Sequence, residues 1–268
     1  MYLVIDIETI VDKQLIKQVY DPAGELTIEQ AYDLARDEVL KQSNQRSDFF
    51  PAAFHVPVCL GFLTADPDYQ ITAMGTWGEE NHTEEQLLRK FWNLFEHSST
   101  LITFNGRGFD LPVIEFRCLR HGIPAPKYFD DHDRFNNYRS ARYAVNRHLD
   151  LNDFLGNFGA VPRKGTSNVI WKLARLPGKY EIEGADVEYL HRTGATRVIQ
   201  QYCLTDVIQT YLLFLRLELV RGKLSPERHT TVIEAARAFL AGKADGMDGD
   251  NFLRDFLGRW DRVRGSDG

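Results

Sequence analysis

Asp6 and Glu8 are the first side chains in this sequence whose types and spacing could do chemistry. They are set into a hydrophobic run, Met1-Tyr2-Leu3-Val4-Ile5-Asp6-Ile7-Glu8-Thr9-Ile10. The aliphatic residues around them predict a buried β-strand, and on a strand residues i and i+2 point to the same side. Two adjacent carboxylates in an apolar setting repel, and burying them unpaired is costly. A hard divalent cation is the natural compensation. Alone, an Asp-x-Glu near a strand end is equally a common structural pattern, so its weight depends on matching acids elsewhere.

Two further segments supply them. Asn105-Gly106-Arg107-Gly108-Phe109-Asp110 follows an apolar stretch, and its glycines would let backbone approach a ligand closely while Asn105 offers both donors and an acceptor. Asp110 sits where a helix should begin, a position that also suits an acid for purely dipolar reasons. In Tyr202-Cys203-Leu204-Thr205-Asp206 the phenol and the carboxylate are four apart, so a helix presents both on one face. Read separately, these are also a core aromatic and a surface acid.

The elements that must position these groups can be read along the chain. After the first strand comes a polar excursion over 11–54, read as an insertion with one helix of roughly four turns. Thr27 to Gln30 forms its capping box, and Ala31, Leu34, Ala35, Val39 and Leu40 follow at helical spacing. Residues 56–63 and 69–77 predict two strands joined by a turn at 65–68. With the first strand they give three consecutive antiparallel strands. Thr83 to Gln86 caps a second helix whose Leu87, Leu88, Phe91, Leu94 and Phe95 share a face. A strand at 101–104 and a helix at 109–120, stopped by Gly122 and Pro124, come next. Residues 131–147 are polar and irregular, structure restarts at 149–151, and short helical pieces follow near Leu155, at 171–176 and at 187–192. The longest predicted helix covers 196–221, and two more, at 227–240 and 251–260, flank a Gly/Asp-rich link at 245–250. This order predicts an α/β fold with a mixed central sheet flanked by helices. It assigns 1–223 to the main domain and 224–268 to a helical extension packed on it.

With 268 residues and 43% hydrophobic content the chain can bury a sizeable core. Its net charge of -6 argues against coating nucleic acid by bulk charge and leaves room for a local basic groove. Cys59, Cys118 and Cys203 are odd in number and widely spaced, which suggests neither a disulfide framework nor a zinc ribbon. No run of about 18 apolar residues and no signal-like start occur, so a cytoplasmic location and no membrane partner are expected.

Taken together and in this order, the acids resemble the DEDD superfamily of 3'-5' exonucleases, in the tyrosine subtype. Asp6-Ile7-Glu8 matches the first motif, Asn105 through Phe109-Asp110 the second, and Tyr202 with Asp206 the third. The histidine subtype would place His five residues before the last Asp, where this chain has Gln201. Asn-Gly-x-x-Phe-Asp, His148-Leu149-Asp150-Leu151, Leu176-Pro177-Gly178-Lys179 and Gln201-Tyr202-Cys203 are similar to the predicted stand-alone exonucleases related to the proofreading domain of family-B DNA polymerases. The resemblance covers roughly residues 1–223. Thr205 departs from it, because an acid often precedes the last Asp.

The resemblance implies a ribonuclease H-like fold and a two-metal mechanism with two Mg2+ or Mn2+ ions about 4 Å apart. Asp6 would bridge both ions, Glu8 and Asp206 would complete one, Asp110 would hold the other, and Tyr202 would orient the attacking water. Ile7, Thr9, Asn105, Phe109, Arg139 and Arg142 are the implied substrate contacts. The implied partner is single-stranded nucleic acid with a free 3' end, DNA favoured over RNA, and release of nucleoside 5'-monophosphates. A proofreading role in replication or repair would need a polymerase on another chain.

Arg134, Phe135, Tyr138, Arg139, Arg142 and Tyr143 mix cations with aromatics, as single-strand binders do, although a solvated loop has the same composition. Arg163, Lys164, Lys172, Arg175 and Lys179 form a second basic group. Rival readings are a nucleic-acid-binding module that keeps the fold without catalysis, and a metal-dependent enzyme acting on small nucleotides or very short oligomers.

Overall fold

The computed structural model describes all residues except 79–81, 162–165, 179–183, 247–250 and 266–268. Its centre is a five-stranded sheet in the order β3-β2-β1-β4-β5. Strand β1 (Tyr2–Val11) pairs antiparallel with β2 (His55–Ala65), which pairs antiparallel with β3 (Ile71–Trp77). On its other side β1 runs parallel to β4 (Thr100–Thr103), and β4 runs parallel to β5 (His148–Asp150). This is the expected mixed sheet, with three antiparallel strands followed by parallel ones.

Alternation along β1 divides the core. Leu3, Ile5 and Ile7 pack with α3 (Glu84–Glu96) and α4 (Asp110–His121), whereas Val4 packs with the cluster built on α9 (Thr196–Val220). Asp6 and Glu8 therefore share the α9 side, as the period of two requires. α10 (Pro226–Asp245) and α11 (Phe252–Gly265) join that same cluster through Val232, Ile233, Leu240, Phe256 and Trp260. Of the 25 residues of α9, 17 are buried, and its apolar side chains face the sheet on one side and α10 on the other.

The insertion holds two helices. α1 (Lys13–Tyr20) is capped by Asp12, whose Oδ1 accepts from Leu15 N at 2.9 Å, and α2 (Ile28–Gln42) carries the Thr27/Gln30 capping box. The sequence reading has no counterpart for α1, because its eight residues, with Ile16 as the single buried side chain, are shorter than the window in which a helical period can be read. The strand expected from 69 begins at Ile71 instead. Tyr69 takes a positive φ of 66° in the reversal, and Asp66 Oδ1 accepts from Gln70 N at 2.8 Å, so the turn extends two residues further.

The connection after α4 closes on Gly122 at φ 61°, the left-handed cap that the glycine predicts. α5 (Pro126–Phe129), α6 (Leu151–Leu155), α7 (Ser167–Leu173) and α8 (Val187–Arg192) are short. The helical piece expected at 171–176 starts four residues earlier and stops before Arg175, whose φ of 60° ends it. The last two helices outrun their expected limits of 227–240 and 251–260, and link residues 247–250 lie outside the described residues.

Candidate active site

β1 is ten residues long, but its pairing with β4 stops at Val4 opposite Ile102. Asp6 and Glu8 thus project past the carboxyl end of β4, into the crevice where ligands gather in open α/β sheets. α4 starts in that crevice. Its first residue, Asp110, accepts from Ile7 N through Oδ1 at 3.1 Å, which ties the second motif to the residue between the first two acids.

The loop that delivers Asp110 is held from below. Asp150, at the end of β5, accepts from Asn105 N at 2.9 Å, Arg107 N at 2.9 Å and Asp153 N at 3.1 Å. Asn105 takes φ 67°, and a Cβ on Gly106 would fall 2.5 Å from Thr103 Cβ, so only glycine fits there. His148 stands beside it in β5, with Nε2 2.9 Å from Thr103 Oγ1. These contacts give His148 and Asp150 a structural role in shaping the site.

Tyr202 and Asp206 come from α9, which lies close against β2. The close approach depends on Gly61, the partner of Asp6 in the β1/β2 register: a Cβ there would lie 2.9 Å from both Cys203 Sγ and Val207 Cγ2. Cys203 Sγ donates to the Asp6 carbonyl oxygen at 3.4 Å. The ligand atoms of Asp6, Glu8 and Cys203 all lie within 4.8 Å of one another, yet burial pushes the Cys203 thiol well above its ordinary range. Its Sγ is already engaged with the Asp6 carbonyl oxygen, and hard divalent ions prefer oxygen, so the carboxylates are the better donor set.

Asp6, Ile7, Glu8, Asn105, Phe109, Asp110, Tyr202 and Asp206 line one cleft of about 520 Å3. Glu8, Asp110, Tyr202 and Asp206 are buried and Asp6 is half-buried. Burial, then the charges of Asp150 and Asp206, pushes the Asp110 carboxyl up to about 7 against two backbone hydrogen bonds. Burial, followed by the charges of Asp206, Glu8 and Asp6, raises the Tyr202 phenol far above its usual range, so it is protonated at neutral pH. Among the described residues no lysine or arginine lines this cleft. Four carboxyl groups crowded into one cleft without a lining cation fit hard divalent ions bound through oxygen.

The remaining residues expected at the site fall elsewhere. Thr9 lies past the bulge between Glu8 and Thr9 and is absent from the cleft wall. His55 Nε2 donates to the Phe50 carbonyl at 3.1 Å, which leaves Nδ1 to accept the Thr9 hydroxyl at 2.9 Å. The slip in register turns Thr9 away from the acids. Arg139 and Arg142 line an adjoining cleft of about 780 Å3, which shares Asn105, Gly108 and Asn152 with the first. Arg139 is paired with Glu115 at 2.9 Å, and Arg142 with Asp153.

Within the same basic and aromatic stretch, Tyr138 is a core residue. It packs edge-on against Phe95 and donates to the Ser99 carbonyl at 3.0 Å. Phe135 and Tyr143 are exposed, and Arg134 stacks on Phe135 at 4.6 Å. In the second basic group, Lys172 donates to the Pro177 carbonyl and Arg163, Lys164 and Lys179 lie outside the described residues.

The cleft wall also contains residues with no local signature. Phe49, between α2 and β2, stacks on His55 at 4.9 Å and tilts onto Phe109 at 5.3 Å, so the insertion forms part of the site. Phe104, Asn152, Trp171 and Thr210 are among the other residues of the wall. Each arrives through tertiary contacts and belongs to no motif.

Comparison with known proteins agrees with this architecture. "DNA polymerase 1" of Saccharolobus solfataricus is 35% identical over 81 residues, which are 30% of this chain and 9% of that protein. "DNA polymerase 1" of Sulfurisphaera ohwakuensis is 30% identical over 98 residues, 37% of this chain and 11% of that protein. The structure of the family B DNA polymerase from the hyperthermophilic archaeon Pyrobaculum calidifontis superposes with a TM-score of 0.50 at 16% identity. That superposition covers 81% of this chain and 24% of the polymerase, and shows a likeness of fold. The chain thus spans about a tenth of the curated relatives it matches.

A family model matches residues 47–260, which include Asn105, Asp110, Tyr202 and Asp206 and extend through most of α11, well beyond residue 223, where the resemblance read from the sequence stops. The match begins after β1, so Asp6 and Glu8 stand on their own geometry. Since the match takes in most of its length, the chain belongs to the family of predicted 3'-5' exonucleases related to the exonuclease domain of PolB.

Proposed function

We propose that this protein is a metal-dependent 3'-5' exonuclease that shortens single-stranded nucleic acid, DNA in preference to RNA, and releases nucleoside 5'-monophosphates. The observation that carries the reading is the convergence of Asp6, Glu8, Asp110, Tyr202 and Asp206 on one cleft from β1, α4 and α9. The polymerase relatives and the family support it.

Asp6, Glu8, Asp110 and Asp206 would hold two Mg2+ or Mn2+ ions. When bound, these supply a nucleophilic hydroxide and neutralise charge on the scissile phosphate and the leaving 3'-oxygen. Asp110 is held in place by Ile7 N, and that hydrogen bond fixes its carboxylate relative to β1. Tyr202, being protonated, donates a hydrogen bond that orients water and does not act as the base. Phe104, Phe109 and Trp171 offer apolar surface for the terminal base, while Asn105 and Asn152 offer polar groups for its sugar. Asn152 Nδ2 donates to Asn105 Oδ1 at 3.0 Å, so the two amides act as a unit.

Incubation of the purified protein with Mg2+ or Mn2+ and a 5'-labelled oligonucleotide should give a ladder descending from the 3' end. Asp6→Ala and Asp206→Ala should abolish the ladder with the fold retained by circular dichroism. Undiminished cleavage by either variant would sink the assignment.

A further inference from the structure

Apart from the two adjoining clefts, a pocket of about 260 Å3 lies where α9, α10, α11 and the segment after α7 meet. Its apolar floor is Leu176, Leu212, Ile233 and Trp260, and its rim carries Arg175, Arg216 and Arg264. Among the described residues no carboxylate lines it. Arg264 reaches Glu234 at 2.9 Å on the outer side, and this carboxylate is itself largely exposed.

His229, on α10, is part of the pocket wall. It is buried, and its Nε2 has no hydrogen-bond partner among the described residues. A buried ring nitrogen left in this way costs free energy unless a ligand meets it. Burial, then the charges of Arg216 and Arg264, holds the imidazole below its ordinary range. The ring is therefore neutral and can donate from one nitrogen. Arg216 is also held below its usual range, by burial and then by the charges of Arg175 and Arg264, so it is repelled by both of its neighbours at the pocket. An anion bound there would relieve the repulsion and satisfy the histidine.

We propose that this pocket binds a phosphate group, with Arg175, Arg216 and Arg264 gripping its oxygens and His229 Nε2–H donating from the wall. Guanidinium forks match the tetrahedral oxygens of phosphate better than they match a spherical anion. α9 connects the two sites. Asp206 and Thr210 line the acidic cleft and Arg216 lines this pocket, ten residues beyond Asp206 and about 15 Å further along the axis at about 1.5 Å per residue. The phosphate held here is therefore distinct from the one at the acids. It is either an upstream phosphodiester of the strand, a reading that rests on the proposed exonuclease function, or a free phosphate or nucleoside monophosphate.

Titration of the metal-free protein with inorganic phosphate, followed by calorimetry and by thermal melting, tests the pocket without any need for cleavage. Phosphate should bind and raise the melting temperature. Arg216→Gln and Arg175→Gln should each weaken binding at least tenfold, while Arg254→Gln, which lies outside the pocket beside Asp245, should leave it unchanged. Absence of binding, or equal binding by wild type and Arg216→Gln, would overturn the proposal whether or not the protein degrades oligonucleotides.

A second measurement, on Asp206→Ala protein with oligothymidylates of increasing length, separates the sources. If the strand supplies the phosphate, affinity should rise with length, and Arg216→Gln should remove that gain and flatten the salt slope by about 0.7. If a free nucleotide does, a mononucleotide should bind as tightly as the longest strand, with the same sensitivity to Arg216→Gln.

Discussion

Replacing Asp110 with Asn isolates the electrostatic cost of crowding the acids. The buried carboxyl is pushed from an ordinary 3.8 up to about 7. The folded state therefore holds this proton more tightly than the unfolded chain does. Its stabilising contribution is complete in acid and is lost as pH rises from about 4 to about 7. At about 1.4 kcal/mol per tenfold, the whole displacement is worth roughly 4 kcal/mol. Roughly 2–3 kcal/mol of that falls between pH 5 and pH 8. Asn keeps an acceptor for Ile7 N and has no charge to bury.

Urea unfolding of wild type and Asp110→Asn in EDTA at pH 5 and pH 8 gives the double difference for Asp110 together with its response to Asp150 and Asp206, with titrating groups remote from the site cancelling. Wild type should lose about 2–3 kcal/mol more than the variant on going to pH 8. Mg2+ or Mn2+ added at pH 8 should restore much of the loss in wild type and less in the variant. A double difference below about 0.5 kcal/mol would refute the reasoning, because the Asp110 charge would then be compensated within the metal-free fold.

Other perturbations probe the framework. Gly61→Ala should push α9 off β2, costing about 1–3 kcal/mol in urea unfolding and, by displacing Tyr202 and Asp206, reducing oligonucleotide cleavage by about 10–100-fold. Cleavage at the wild-type rate would show that the close approach of α9 is not what sets the site. Asp150→Ala removes the acceptor of three backbone N–H groups and should cost about 2–4 kcal/mol, with faster hydrogen exchange at the amides of Asn105 and Arg107. Arg117, buried between Glu84 at the start of α3 and the α1 cap Asp12, should cost about 3 kcal/mol or more as Arg117→Met. The Arg117→Met/Glu84→Gln double variant should unfold at a higher urea concentration than Arg117→Met alone, because it leaves one fewer uncompensated charge.

Much of this architecture was legible in the sequence because its signals are local. A period of two places Asp6 and Glu8 on one face of β1, Thr27 and Thr83 cap helices with Gln three residues on, Gly122 ends α4, and α9 is marked by apolar and aromatic positions from Val198 to Leu217. The likeness of the three acidic motifs to the exonuclease family was legible for the same reason, since each motif is short and contiguous.

Tertiary structure decided what no window of residues contains. β4 ends three residues after its pairing with Tyr2 begins, so the acids overhang it and Asp110 can reach Ile7 N. A bulge after Glu8 removes Thr9 from the cleft, Tyr138 is drawn into the core beside Phe95, and Arg139 and Arg142 are paired in an adjoining cleft. Gly61, unremarkable in the sequence, sets how near α9 lies to β2. The sequence by itself determined which groups could do the chemistry and which element carries each. Whether those groups meet depended on register, helix approach and loop anchoring, which arise from contacts between segments as much as two hundred residues apart.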